Sequence, residues 1–240
     1  PAFDERMESI DFRKGHGMLN RQKTLLYLLQ KASRPVSKLE LTKWAFVLRE
    51  EMPTRGGNAF YDFLPYRYGP FSFCLYREMD ALIRDGYVQG ESKWKVTSLA
   101  NDVTESLSNA VKQDGRGVLQ RLGEKSVDGL VDYVYQRHPQ FTINSERLKL
   151  ADRIYAEPAV YTAGYERLSV DAFLDRLIGN GVERIIDVRN NPIARRFGFH
   201  KSTLSKLAGR VQIDYIHMPE LGIASSHRRN LSLPSDYEEL

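Results

Sequence analysis

The sequence contains one cysteine, Cys74, among its 240 residues. A single thiol cannot form an intrachain disulfide or supply a cysteine-rich metal site, and it is consistent with a reducing compartment. No apolar run is long enough to span a bilayer, and the amino end lacks the apolar core of a signal peptide. These absences predict a soluble, cytoplasmic protein with no membrane partner.

The motifs of nucleotide-binding and hydrolytic enzymes are also missing. The sequence has no GxxxxGK[ST], GxGxxG, HExxH or GxSxG pattern. Its histidines, 5 in all, do not show the spacing of metal ligands. The sequence therefore assigns no metal site, and the cofactor, if any, is unknown at this point.

What the chain does have is enough apolar material for buried cores and a small excess of positive charge. Hydrophobic residues make up 42% of it, charged residues 28%, and the formal net charge is +4. The length suggests one large or two ordinary domains. A mildly basic balance fits nucleic acid without requiring it, since the distribution of charge matters more than its sum.

The carboxyl-terminal third alternates between strand and helix patterns. The predicted elements are a strand at 160–163, a helix capped by Ser169 at 170–178, a strand at 184–188, a helix opened by Ser202 or Thr203, and a strand at 213–216. Alternating strands and short helices are typical of right-handed crossovers. We therefore expect a small α/β domain with a mainly parallel sheet.

Ligands of open parallel sheets bind beyond the carboxyl ends of the strands. The candidate catalytic residues at those ends are Glu166, Asp187, His217 and Glu220, with Tyr165 and Arg189 beside them. Asp187 or Glu166 would act as a general base toward water or as a metal ligand. The alternative is that Asp187 only pairs with Arg189 or caps a turn, and that His217 only ends a strand.

A basic stretch without acidic residues runs from Arg189 to Arg210. Its guanidinium and ammonium groups suit phosphates, and its aromatic rings suit base stacking. The candidate nucleic-acid contacts here are Tyr165, Arg189, Arg195, Arg196, His200 and Lys201. The alternative is a solvated loop in which Phe197 and Phe199 pack inward and Gly198 makes a turn.

Four ordered blocks of this third resemble the domain-of-unknown-function 488 family. They are Tyr-Thr-x-Gly-Tyr-Glu at 161–166, Asp-Val-Arg-x-x-Pro at 187–192, Arg-x-Gly-Phe-x-Lys at 196–201 and Tyr-Ile-His-Met-Pro-Glu-Leu-Gly at 215–222. The resemblance implies a small α/β domain without a settled activity, often found near DNA-processing and defence functions. The family usually continues with a strand and a Cys-His-Arg motif. The sequence ends at Leu240 before such a motif, which indicates either a truncated form or a domain without that element.

The amino-terminal part predicts a winged helix. Helices at 20–31, 38–50 and 73–84 precede a hairpin formed by 87–89 and 93–97. In that arrangement the third helix can enter the major groove while the wing contacts the backbone. The candidate contacts are Tyr76 and Arg77 on the helix and Lys93 and Lys95 in the wing. The alternative is a protein-interaction or dimerisation module.

This part also resembles winged-helix regulator domains of the Panacea antitoxin type, through Arg-Tyr-Gly-Pro-Phe-Ser at 67–72 and Leu-x-x-Asp-Gly at 82–86. We thus expect a flexible arm at 1–18, a winged-helix domain with a helical extension at 19–155, and the α/β domain at 156–240.

Two functions follow from these expectations. The first is a DNA-binding protein of repair or phage-defence type, whose α/β domain recognises or processes a nucleotide. Whether it is a hydrolase of the nuclease or glycosylase type is left open. The second is a non-catalytic regulator or antitoxin-like homodimer, whose α/β domain senses a ligand or binds a partner.

Overall fold

The computed structural model describes residues 17–222, and helix caps set its first elements. Helix α1 spans Asn20–Ala32 and α2 spans Lys38–Glu51, with the short strand β1 at Val36–Ser37 between them. The Ser37 hydroxyl accepts a hydrogen bond from the Glu40 amide, and the Glu40 carboxylate accepts one from the Ser37 amide. This reciprocal capping satisfies amides that a first helical turn leaves unpaired, and it confirms the predicted start of α2.

An antiparallel hairpin follows α2, with β2 at Leu64–Tyr66 and β3 at Gly69–Phe71. The buried Lys43 lies beneath it and donates hydrogen bonds to the carbonyl oxygens of Tyr68 and Pro70. Burial lowers the pKa of Lys43 to about 7. The two hydrogen bonds from the Lys43 amino group hold the hairpin through its backbone carbonyl oxygens.

Helix α3 spans Phe73–Arg84 and is followed by strands β4 at Val88–Gln89 and β5 at Lys93–Val96. The Ser72 hydroxyl caps α3 by accepting from the Leu75 amide at 3.2 Å. The strands form a sheet in the order β1-β5-β4, with antiparallel neighbours. The predicted third helix and hairpin are thus confirmed within a residue or two at each end.

Three further helices follow, and one glycine in them was misinterpreted from the sequence. Helices α4, α5 and α6 span Ala100–Glu105, Asn109–Leu122 and Val127–Arg137. The sequence pattern of this region predicts separate helical segments at 104–112, 117–122 and 126–136 with a break at Gly115, but α5 continues through that glycine. A Cβ atom there would lie 3.3 Å from the ring of Tyr27, so the glycine allows α1 and α5 to approach closely. The pattern also predicts a short helix that begins at Thr142. The structure has a 3₁₀ turn at Pro139–Thr142 and no helix in the residues that follow it up to 150.

The carboxyl-terminal part consists of α7, β6, α8 and β7, followed by a short 3₁₀ turn. Their bounds are Val170–Gly179, Arg184–Asp187, Lys201–Arg210, Asp214–His217 and Pro219–Leu221. Strands β6 and β7 pair in parallel, with Arg184 opposite Asp214 and Asp187 opposite His217. The order helix, strand, helix, strand and the one parallel pair β6–β7 agree with part of the prediction.

The predicted strand at 160–163 is wrong. These residues belong to no strand, and the side chain of Val160 is 93% exposed. The chain is held just before this segment, where the Ala156 amide donates to the Gly181 carbonyl at 3.0 Å. Residues 160–163 themselves do not pair with β6. Preference for β structure stabilises a strand only where its side chains pack, and these side chains are exposed. The parallel sheet is therefore two-stranded among the described residues.

Two large apolar cores hold the described elements together, and the second contains side chains from both the amino-terminal and the carboxyl-terminal part. The first lies among α1, α2, α3 and the following helices and contains Trp44 and Trp94. The second contains Leu64 and Phe73 from the amino-terminal part together with Phe173 and Phe199. The described residues thus form a mixed α+β structure of eight α-helices and small sheets. Within residues 17–222, none of the helices has the length and apolar composition needed to cross a membrane.

Candidate functional site

The carboxyl end of β6 carries a buried ion pair. Asp187 is 6% exposed, and its two oxygens accept hydrogen bonds from Nε and Nη2 of Arg189 at 2.8 and 2.5 Å. The same carboxylate accepts from the Arg189 amide at 3.1 Å and from the Tyr215 hydroxyl at 2.5 Å. Such a two-pronged contact is the strong form of the arginine–carboxylate pair.

This network sets the ionisation of Asp187. Burial alone would raise the pKa of Asp187, but hydrogen bonds from Arg189 and Tyr215 outweigh it and lower that pKa to about 2. Burial and the hydrogen bond to Asp187 raise the pKa of Tyr215. A general base works best with a pKa near the operating pH. The geometry therefore fits the alternative in which Asp187 pairs with Arg189. It does not fit the role of a general base that removes a proton from water.

Arg189 also connects the ion pair to two aromatic rings. Its Nη1 donates to the Phe199 carbonyl at 3.0 Å and to the Tyr165 hydroxyl at 3.3 Å. The rings of Tyr165 and Phe199 are stacked, with centroids 4.5 Å apart. Asp187, Arg189 and Tyr165 are thus brought together as predicted, but they form a closed network that holds the loop after β6.

His217 and Lys201 form a second pair next to this network. His217 Nε2 lies 2.8 Å from the Arg189 carbonyl oxygen, and Nδ1 lies 2.8 Å from Lys201 Nζ. A carbonyl oxygen only accepts, so Nε2 carries the hydrogen and Nδ1 is left to accept from the ammonium group. This arrangement holds Lys201 at the sheet edge with its positive charge facing outward.

An open cleft of about 570 Å³ lies where α8 begins beside β7. Its lining contains no carboxylate; the residues are His200, Lys201, Ser202, Ser205, Tyr215, Ile216 and His217. The N-terminal end of a helix carries partial positive charge and amides without helical partners. The cleft therefore combines cationic and hydrogen-bonding groups of the kind that receive a phosphate.

The basic stretch before α8 alternates between packed rings and outward cations. Phe199 is fully buried, and Gly198 adopts φ +90 against Val170. Neither Phe199 nor the partly buried Phe197 presents a free ring for base stacking, so that part of the expectation is wrong. Arg195 and Arg196 are exposed, and Arg196 Nη1 donates to the Leu168 carbonyl at 3.0 Å.

The remaining acidic candidates lie outside the cleft. Glu166 is exposed in the loop before α7, and Glu220 is exposed in the last 3₁₀ turn. Neither lines the cleft that holds His217. No group of three or more histidine, cysteine or acidic side chains within residues 17–222 is arranged to hold a metal ion.

The amino-terminal candidates divide into packed and exposed side chains. The Tyr76 ring packs against Phe71 and Trp94, with centroids 4.5 and 5.9 Å away. The Arg77 guanidinium lies over the ring of Phe197 at 4.5 Å. Lys93 and Lys95 are exposed on β5. Of these candidates, Lys93 and Lys95 are the ones that are exposed to solvent.

Two residues of the site were missed by the sequence analysis. Tyr215 lies two positions before His217, and alternate residues of a strand share a face, so its place beside Asp187 was available from the spacing. Asp171 is fully buried and accepts from the amides of Phe73 and Cys74. Sequence offered no signal for this contact, because the partners are 98 and 97 positions apart.

Comparison with known proteins gives a result for the carboxyl-terminal part alone. No curated protein matches this chain. Residues 169–240 match a family model described as "Domain of unknown function DUF488", which supports the resemblance seen in the sequence. The match includes the described ion pair and cleft and continues past the described residues. It does not reach the amino-terminal part, whose resemblance to regulator domains stays a prediction.

Proposed function

We propose that this protein binds DNA through the phosphate groups of its backbone, at the cleft between α8 and β7. The observation that carries the proposal is an exposed Lys201 in a cleft whose lining has no carboxylate. The exposed Arg195 and Arg196 precede this cleft in the sequence. Arg and Lys are the side chains that neutralise phosphates, and their contacts dominate affinity for DNA.

The amino-terminal part supplies the second support for DNA as the ligand. The order α1, β1, α2, α3, β4, β5, with the β2–β3 hairpin inserted between α2 and α3, and the sheet order β1-β5-β4 support a winged-helix interpretation. Its exposed Lys93 and Lys95 then lie on the hairpin that serves as the wing. The repair or phage-defence setting rests on the family resemblance.

Binding without turnover is the version that the ion pair favours. Asp187 is held ionised by Arg189 and Tyr215, and its oxygens already accept hydrogen bonds from both. A carboxylate held in this way positions a loop and does not take up a proton at neutral pH. The alternative function, a regulator or antitoxin-like protein with a sensing α/β domain, shares this feature.

The experiment measures binding of the full chain to duplex, single-stranded and base-modified DNA, followed by a denaturing gel. We expect binding that Lys201→Ala weakens and that Lys125→Ala, an exposed lysine in the α5–α6 turn, leaves unchanged. Intact DNA on the gel supports binding without turnover, whereas cleaved strands or alkali-labile sites identify a processing enzyme. Equal binding by wild type and Lys201→Ala contradicts the proposed cleft.

A further inference from the structure

The amino end of α3 is held by the carboxyl-terminal part of the chain. Asp171, in the first turn of α7, accepts from the Phe73 amide at 2.6 Å, the Cys74 amide at 2.9 Å and the Ser72 hydroxyl at 3.0 Å. These amides belong to the first turn of α3, which has no helical acceptors for them. The end of α3 that a groove-reading helix would present to DNA is therefore already occupied.

The middle of α3 contacts the basic stretch before α8. The Arg77 guanidinium carbon lies 4.5 Å from the centroid of the Phe197 ring, which is within the range of a cation–π contact. Phe197 itself packs against the second apolar core. Arg77 is thereby directed at a side chain of the same protein.

Phe197 belongs to the segment that contains the proposed phosphate-binding residues. On one side lie the exposed Arg195 and Arg196, and on the other the exposed His200 and Lys201. The backbone between them is tightly seated, since a Cβ atom on Gly198 would lie 2.3 Å from Val170 Cβ. Val170, which contacts Gly198, and Asp171, which contacts α3, are neighbours in α7. The first turn of α7 therefore holds both the basic segment and the amino end of α3.

We propose that α3 positions the phosphate-binding segment 195–201 through Arg77 and Asp171, and does not read DNA with its amino end. The proposal rests on the proposed function, because it takes the cleft and its cations as the DNA-binding surface. Arg77 and Asp171 are positioning residues. The proposed ligand is still the DNA backbone, which binds to segment 195–201 while α3 supports that segment.

This arrangement differs in a measurable way from the one predicted from the sequence, in which Arg77 contacts DNA directly. If Arg77 acts through Phe197, removing either side chain loses the same contact, and the double variant loses little more. If Arg77 contacts phosphate by itself, the effects of the two substitutions add. A double-mutant cycle therefore separates the two roles.

The experiment compares Arg77→Ala, Phe197→Ala and the double variant with wild type by DNA affinity and by hydrogen exchange. Exchange is followed at the amides of Phe199 and Lys201, which donate to the Arg196 and Pro192 carbonyls at 3.3 and 3.0 Å. We expect each single variant to weaken binding and speed exchange by about threefold to tenfold, the range set by loss of one cation–π contact. The double variant is expected to have the same DNA affinity and exchange rates as the single variant that binds DNA less tightly.

Two controls make the result specific. Arg84→Ala, in the last turn of the same helix, is expected to change neither readout, because Arg84 is paired with Asp85 at 3.6 Å. Phe197→Tyr keeps an aromatic ring under Arg77 and is expected to have the DNA affinity and exchange rates of the wild type. Additive losses of affinity, or unchanged exchange in Arg77→Ala, overturn the proposal. If wild type binds no DNA, the proposed function fails, while the exchange rates still decide whether α3 supports the segment.

Discussion

The fully buried carboxylate of Asp171 accepts a 2.6 Å hydrogen bond from the backbone amide of Phe73, although the two residues are 98 positions apart. Together with the Ser72 hydroxyl, the Asp171 carboxylate therefore caps the first turn of α3. It lies at the border of the second apolar core, which contains side chains from both parts of the chain. The α/β part is thus built onto the hairpin and third helix of the amino-terminal part.

Asp171→Ala is expected to lower the free energy of unfolding by about 2–4 kcal/mol, because buried donors left without an acceptor cost about 1–3 kcal/mol. The donors concerned are the amides of Phe73 and Cys74 and the hydroxyl of Ser72. Urea unfolding measures the loss. Asp152→Ala, at an exposed position, is the control and is expected to change stability little. Equal stability of the two variants would contradict this role of Asp171.

Gly198→Ala is expected to destabilise the protein by about 2–4 kcal/mol, from left-handed backbone strain plus overpacking. Gly198 has φ +90, and an added Cβ would lie 2.3 Å from Val170 Cβ. The matched control is Gly179→Ala, at the end of α7, where an added Cβ meets no atom within 4 Å. Thermal unfolding compares the pair, and a similar loss in both would show that the contact with Val170 is unimportant.

Asp187→Asn is expected to lower the free energy of unfolding at pH 7 by about 1–2 kcal/mol, after discounting for solvent near the pair. The folded pKa of Asp187, about 2, lies below its usual value. This stabilisation is therefore present above about pH 4 and is lost as the pH falls toward 2. Urea unfolding of both proteins across this range tests the sign. A difference that does not shrink toward pH 2 would contradict the assigned ion pair.

Asp175→Asn is expected to have the opposite effect. Burial, together with the negative charges of Glu50, Asp62 and Asp171, raises the pKa of Asp175 to about 6. The folded state therefore disfavours the ionised form, and the cost is present above pH 6 and absent below about pH 4. The substitution should raise stability at pH 8 by about 1–2 kcal/mol and do little at pH 4. An equal gain at both values would exclude charge as the cause.

The elements that could be predicted from the sequence are those set by local chemistry. Ser37, Ser72 and Ser169 each cap the helix that the pattern indicated, because capping depends on a side chain and an amide three positions away. The predicted strand at 160–163 failed because strands depend on neighbours, and Val160 has no packing there.

The site was predicted as a set of residues but not as a division of roles. Parallel topology alone placed Asp187 and His217 at one edge, as the register shows. The sequence could not predict which of these groups are available to a ligand. The Asp187 carboxylate accepts hydrogen bonds from Arg189 and Tyr215, whereas Lys201 lines the cleft. The Phe197 ring also contacts Arg77, and no local sequence pattern predicts this contact between residues far apart in the chain.

The most direct test of the account is the salt dependence of DNA binding for wild type and for the variant carrying Arg195→Ala and Lys201→Ala. Each phosphate contact contributes about 0.9 to the slope of log affinity against log salt. The account predicts that the variant's slope is shallower than wild type by about 1 to 2 and that its affinity falls most at low salt. A variant with the wild-type slope and affinity would show that the cleft at α8 does not bind the DNA backbone.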